Sequence, residues 1–261
     1  MAKPVAVVTG SSTGIGRETA LQFARSGYAV VVNACRNIRG LQETADLIVR
    51  ESGLDREDLL LVSADITNHT HCQNLVRTAF GWRGHVQVWV NNAGADILTP
   101  QMQAASFEQR LQKLFEVDVH GTIRLSRLVA DSLVQQDVRG QWLPSIVNCG
   151  WDQAFLGMAG DPGQSFCPAK AAVMAFSKSL GLTLAPQVRV NCVAPGWIQT
   201  EWGESNASDY WAMRATDESQ LNRWGKPSDV AKTTVWLASR DAEFVNGQVI
   251  EVNGGRQYYP R

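Results

Sequence analysis

Short apolar runs alternate with amphipathic stretches along nearly the whole chain. Val5 to Val8 is an apolar run suited to a strand buried on both faces. Ile15, Ala20, Leu21, Phe23 and Ala24 then recur at helical spacing until Gly27 stops them. Tyr28 to Val32 predicts a second strand, and Leu41 to Arg50 a polar-faced helix closed by Ser52 and Gly53. A third strand is expected at Leu59 to Val62, a third helix at His69 to Phe80, and a fourth strand at Val86 to Val90. From Ser106 to Gln136 the apolar positions, among them Leu111, Leu114, Ile123, Leu125, Val129 and Leu133, predict one long helix with Gly121 inside it. A strand at Ile146 to Val147 follows, then a helix at Pro168 to Leu184 with Pro168 in its first turn and small alanines that permit close packing. Val188 to Val193 and Gln248 to Val252 read as strands, with a helix between them at Lys226 to Ser239. The repeated strand-helix unit implies an α/β fold with a parallel sheet and right-handed crossovers. No linker or internal repeat divides the chain, so residues 1–261 read as one domain. Residues 200–224 lack clean periodicity and carry Trp202, Tyr210, Trp211 and Trp224, which suits a lid over a site.

The first strand runs into a glycine-rich turn, VAVVTGSSTGIG, and then into a helix. Gly10, Gly14 and Gly16 allow positive φ and close approach of a ligand, so the helix starting near Gly14 can aim its free N–H groups at a phosphate. Glycine spacing alone is weak, but a strand before the turn and an amphipathic helix after it make a dinucleotide pyrophosphate the expected occupant.

Charge and composition narrow the partners. Net charge is −1 with acids and bases interspersed, so neither a nucleic-acid groove nor a membrane surface is suggested. A neutral or small anionic small-molecule partner is expected. The five cysteines, Cys35, Cys72, Cys149, Cys167 and Cys192, are widely spaced with no CxxC pair, as in a reducing compartment. No segment approaches the roughly 18 apolar residues needed to span a bilayer, and MAKPVAVV enters the first strand without a signal-peptide pattern. A cytoplasmic location is the expectation.

TGSSTGIG, NNAG, NCVAPGWIQT, RWGKPSDVA and NGQVIEVNGG occur in the order seen in short-chain dehydrogenases/reductases, and the resemblance covers nearly the full length. It implies a Rossmann-type, doubly wound sheet of seven parallel strands binding NAD or NADP. Carried over by position, it implies that Gly10, Gly14, Ile15 and Gly16 hold the pyrophosphate and that Asp65 with Ile66 contact adenine. Asp65 could equally cap the following turn. Asn91, Ala93 and Gly94 would lie beside the adenosine ribose, although the Asn91 side chain is better suited to satisfying neighbouring backbone groups. Pro195, Gly196, Ile198 and Thr200 resemble the loop that contacts the nicotinamide carboxamide. After the second strand VVNACRN offers no acid to bond ribose hydroxyls and repel a 2′-phosphate. Arg36 could pair that phosphate or stand as a solvated surface residue, so NADP is favoured modestly over NAD.

The chemistry implied by the resemblance is general acid catalysis by a tyrosine in YxxxK, with a serine upstream and an asparagine on the long helix. A lysine ammonium stabilises phenolate, the phenol exchanges a proton with the substrate oxygen, and the serine orients that oxygen. Lys170 stands at the lysine, but four residues before it is Phe166, which has no proton to exchange. Gly150 and Trp151 stand where two serines are expected, with Asp152 next, and Asp118 replaces the asparagine. Lys170 is also implied to hold the nicotinamide ribose, so its retention supports nucleotide binding.

Two readings follow: an oxidoreductase acting on a carbonyl or alcohol through an atypical site, or a redox-inactive nucleotide-binding protein serving as a sensor or partner subunit. The first needs a titratable group near the nicotinamide, for which Asp118, Asp152 and Tyr210 are candidates. Burial against Trp151 would raise the pKa of Asp152, whereas Lys170 would lower that of Asp118. His69 and His71 face different directions on a helix, so no metal site is expected. Cys167 is read as a packed thiol, with an activated thiol at a helix N-terminus as the alternative. The resemblance and the small-residue helix 168–184 imply a homodimer or homotetramer.

Overall fold

The computed structural model describes residues 3–97, 99, 102, 104–136, 142–200 and 209–256, the last segment with side chains from residue 213. Strands β1 (Val5–Val8), β2 (Ala29–Ala34), β3 (Leu59–Ser63), β4 (Val88–Asn91), β5 (Ser145–Cys149), β6 (Arg189–Pro195) and β7 (Val249–Val252) form one sheet. Their order is β3-β2-β1-β4-β5-β6-β7, and every pairing is parallel. The chain winds outward from β1 in one direction, then returns to β4 and winds outward in the other, which opens a crevice at the carboxyl ends of β1 and β4.

Helices α1 (Gly14–Arg25), α2 (Ile38–Ser52) and α8 (Pro227–Ala238) cover one face of the sheet. The other face is covered by α3 (His69–Arg83), α5 (Thr122–Gln135) and α6 (Asp161–Leu184). The alternation of strand side chains feeds both cores. Ala6, Val8, Val30, Val32, Val88 and Val90 pack on the first face, and Val5, Val7, Ala29, Val31, Trp89 and Ile146 on the second.

Two elements differ from the sequence expectation. The long helix is divided into α4 (Phe107–Leu114), a π-helical turn at Phe115–Gly121, and α5. The widened turn contains Asp118, and Gly121 closes it where a Cβ would meet Ile66 Cδ1 at 2.8 Å. Helix α6 begins at Asp161, so Pro162 rather than Pro168 occupies its first turn and Pro168 lies inside the helix. Helix α7 (Asp209–Asp217) lies within the expected lid, while Trp202 and the side chains of Tyr210 and Trp211 are outside the described residues. No helix among the described residues is long and apolar enough to cross a membrane.

A buried polar chain joins the two central strands to the second helical layer. Asn91 accepts from Trp89 Nε1 at 2.9 Å and donates to Ser126 Oγ at 2.9 Å and Asn148 Oδ1 at 2.8 Å. Asn148 in turn donates to Ser177 Oγ at 2.8 Å. The partners of Asn91 are thus side chains rather than the backbone groups expected. Asn91→Ala leaves a buried indole N–H and an amide oxygen short of partners, so it should destabilise the fold by about 2–4 kcal/mol. Urea denaturation of the two proteins side by side measures the difference.

Candidate functional site

The glycine turn is pressed against the end of β4. Gly10 adopts φ +63°, and a Cβ there would meet Ala93 Cα at 2.6 Å. At Gly16 a Cβ would meet the Gly10 carbonyl oxygen at 2.2 Å. Thr9 Oγ1 accepts from the Asn92 and Ala93 backbone N–H groups, each at 3.1 Å. Asn92 Nδ2 donates back to the Thr9 and Gly10 carbonyls at 3.1 and 3.0 Å. Thr13 precedes α1 without a side-chain cap, so the amides of the first turn keep their capacity for an anion. These residues fit a dinucleotide pyrophosphate: the cradle is one that any side chain would fill. Thr9 and Asn92 stand beside the motif glycines and were not singled out, although TG and NNAG contain them.

At the carboxyl ends of β2 and β3, Asn33 is turned inward and donates to the Val62 and Ala64 carbonyls at 3.0 and 3.2 Å. Arg36 is exposed on the loop after β2, and Asn37 caps α2 by accepting from Gly40 N at 2.9 Å. Asp65 Oδ1 accepts from Thr67 N at 2.9 Å and from Thr67 Oγ1 at 2.8 Å, which is the turn-capping arrangement. Burial opposes ionisation of Asp65, but the Thr67 bonds hold its carboxyl below the usual range. The Ile66 side chain is buried, and its carbonyl accepts from Arg124 at 2.9 Å. A cavity of about 480 Å³ lies between the starts of α1 and α2, lined by Thr13, Gly14, Arg17, Arg39 and Thr200 among others.

At the other end, Lys170 and Asp118 come together. Lys170 Nζ lies 2.7 Å from Asp118 Oδ1 and donates to the Cys149 carbonyl at 3.2 Å. The second carboxylate oxygen of Asp118 accepts from Ala95 N at 2.7 Å, and Gly94 leaves room for it. Side-chain exposures of 13% for Lys170 and 1% for Asp118 make this a buried pair. Burial works against the ammonium, yet Asp118 more than offsets it and pushes Lys170 above its ordinary pKa.

Phe166 lies one helical turn before Lys170, with its ring centroid 5.9 Å from that of Trp151 and the planes tilted by 59°. It also belongs to an apolar cluster with Ile97, Leu114 and Ala169. Gly150 is held by packing, because a Cβ would meet Met174 Cγ at 2.7 Å and Cys192 Sγ at 2.9 Å.

Asp152 is buried, but its Oδ2 accepts from Arg256 at 2.9 Å and Asn253 at 3.3 Å. Its Oδ1 has no partner among the described residues. Burial holds its carboxyl above the ordinary range even with Arg256 alongside. Arg256 was not foreseen, since 104 residues separate it from Asp152 and no local pattern links them. Cys167 donates to the Gln153 carbonyl at 3.5 Å, and burial raises its pKa, so the thiol is packed rather than activated. His71 accepts from Asp65 N at 3.3 Å, and no cluster of metal-ligating side chains occurs among the described residues.

A family model described as enoyl-(acyl carrier protein) reductase matches residues 10–257. The 3-oxoacyl-(acyl-carrier-protein) reductase FabG of Staphylococcus aureus is 31% identical over 254 residues, covering 96% of each chain. BbsD, a hydroxy(phenyl)methylsuccinyl-CoA dehydrogenase subunit of Thauera aromatica, is 34% identical over 261 residues, covering 98% of this chain and 97% of its own. Among solved structures, an actinorhodin polyketide ketoreductase variant with NADPH superposes with a TM-score of 0.83 at 28% identity, covering 98% of both chains. The sheet order, the glycine turn and these matches agree: the chain belongs to the short-chain dehydrogenase/reductase family of oxidoreductases.

Proposed function

We propose that this chain binds NADP(H) along the carboxyl ends of the strands and has lost the family's proton transfer, so that it turns over small carbonyl or alcohol substrates weakly. The observation that carries this reading is the Phe166 ring, tilted against Trp151 one turn before Lys170, where a phenol would exchange the proton. The Lys170–Asp118 pair supports it, because an ammonium already neutralised by a carboxylate exerts little field on a neighbouring acid. When bound, the dinucleotide supplies a hydride; the chain's own residues hold it. In this reading Gly10, Gly14, Ile15 and Gly16 take the pyrophosphate, Asp65 and Ile66 the adenine, and Asn91, Ala93 and Gly94 border the ribose. Lys170 takes the nicotinamide ribose, and Pro195, Gly196, Ile198 and Thr200 the carboxamide. The relatives' names speak of acyl and polyketide carbonyls, which supports a small-molecule carbonyl as the substrate class.

A second reading is favoured by the unpartnered Oδ1 of Asp152 and its raised pKa: this carboxyl supplies the proton in place of the tyrosine. Arg256 weighs against it by stabilising the anion. A redox-silent sensor or partner subunit is the limit in which neither route operates.

Exposed Arg36 and the absence of an acid between Asn33 and Arg39 favour a 2′-phosphate. Calorimetry should therefore give tighter binding of NADPH than NADH, with Arg36→Ala erasing the difference; equal affinities in the unmodified protein would refute the preference.

Loss of a positioned acid removes about 10² to 10⁴ in rate. Stopped-flow absorbance of NADPH with a carbonyl panel should accordingly show binding with slow oxidation. Phe166→Tyr alone should recover only part of the rate, and the triple change with Trp151→Ser and Asp118→Asn more. Fast turnover in the unmodified chain overturns the reading, and residual turnover abolished by Asp152→Asn selects the second one.

We also propose a homodimer or homotetramer built on α5 and α6, whose small residues permit close approach. Light scattering at micromolar concentration should show a multiple of 28.6 kDa, and a monomer would exclude it.

A further inference from the structure

We propose that Arg256 is a positioning residue for the nicotinamide half of the cofactor, acting through Glu218 and Trp197 on the loop that follows β6. The proposal rests on the dinucleotide binding set out above. Arg256 follows β7, and its side chain is only 9% exposed. One terminal nitrogen donates to Asp152 Oδ2 at 2.9 Å and the other to Glu218 Oε2 at 2.5 Å. The same Glu218 oxygen accepts from Trp197 Nε1 at 2.7 Å, while Oε1 accepts from Arg214 at 2.5 Å. Trp197 stands between Gly196 and Ile198, the residues assigned to the carboxamide loop. A single guanidinium therefore joins the segments beyond β5, β6 and β7.

The backbone follows the same path. Ser219 and Arg256 form an antiparallel bridge, and Ile198 forms a parallel bridge with Gly225. Gln220 N and Leu221 N donate to the Gly255 and Gly254 carbonyls at 2.8 and 3.1 Å. Gly254 adopts φ +70°, the left-handed region that favours glycine, where a Cβ would also meet Ser219 Oγ at 2.4 Å. Burial opposes the Glu218 charge, but the bonds from Trp197 and Arg214, with the Arg256 charge, hold its carboxyl below the ordinary range.

The type of residue matters. A planar fork with separate donors spans two carboxylates, which the point charge of lysine does less well. Buried ion pairs are weak devices for stability, because apolar side chains of equal volume serve as well. What they add is direction: the bonds set where Glu218, and hence the Trp197 indole, must lie. The elements so joined are loops at the rim of the crevice, not core helices, so the registry bears on the site.

The test separates the two halves of the dinucleotide. Arg256→Met and Glu218→Gln are titrated in the calorimeter with NADPH and with 2′,5′-ADP, which has the phosphorylated adenosine but no nicotinamide. Arg256→Met should weaken NADPH binding about tenfold while 2′,5′-ADP stays within about twofold, the range expected for coupling through a packed network. Glu218→Gln leaves the Arg256–Asp152 pair in place and should give the same split at smaller amplitude, which guards against a folding defect in the first variant. Equal loss of both ligands, or loss of neither, overturns the inference. Failure of both ligands to bind the unmodified chain overturns the dinucleotide reading itself, and this inference with it.

Discussion

The approach of the glycine turn to the end of β4 is the constraint on which the crevice depends. With a Cβ at Gly16 meeting the Gly10 carbonyl oxygen at 2.2 Å and one at Gly10 meeting Ala93 Cα at 2.6 Å, α1 can reach its place only along a bare backbone. Thr9 and Asn92 then satisfy the polar groups that this contact removes from water. The same contact keeps α1's uncapped first turn at the reversal between β1 and β4. A ligand phosphate arriving there meets amides already oriented, so little ordering remains to be done on binding.

The strands were legible because burial on both faces demands continuous apolar runs, and Val5–Val8 and Val30–Val32 have no polar interruption. The π turn was not. Leu111, Leu114, Ile123 and Leu125 keep their apolar character on either side of it, so an interrupted helix and a continuous one present nearly the same sequence pattern. The start of α6 at Asp161 was hidden because Pro168 is the kind of residue that a first helical turn favours, and it marks a later place in the sequence. Gly163 is in fact required by packing, as a Cβ there would meet the Met158 carbonyl oxygen at 1.9 Å.

The candidate site divides along the same line. Residues assigned to a ligand in the proposed function lie in short contiguous motifs, and their geometry follows from backbone sterics that glycine and proline reveal. The charged partners do not. Lys170 and Asp118 were each recognisable by position; Asp118 lies in the π turn and meets both Ala95 N and Lys170 Nζ. Arg256 carried no signal, because its partners Asp152 and Glu218 come from loops that only the completed sheet brings together.

The buried pair changes what the retained lysine means. Asp118 is almost wholly enclosed, and removing one member of such a pair leaves an uncompensated charge at a penalty of about 3–5 kcal/mol. Lys170 is therefore required by Asp118 whatever else it does, and its presence says nothing about proton transfer. The converse holds too. An asparagine at position 118 would leave the ammonium unpaired and able to stabilise a nearby anion, whereas the carboxylate gives it a partner that no substrate or phenolate need supply. The tilted Trp151–Phe166 ring pair carries no developing charge, and the Lys170 ammonium, one helical turn after Phe166, already has a carboxylate partner. On the proposed reading, a phenol placed at position 166 alone would face an ammonium already paired with Asp118, so the acid function would depend on position 118 as much as on position 166.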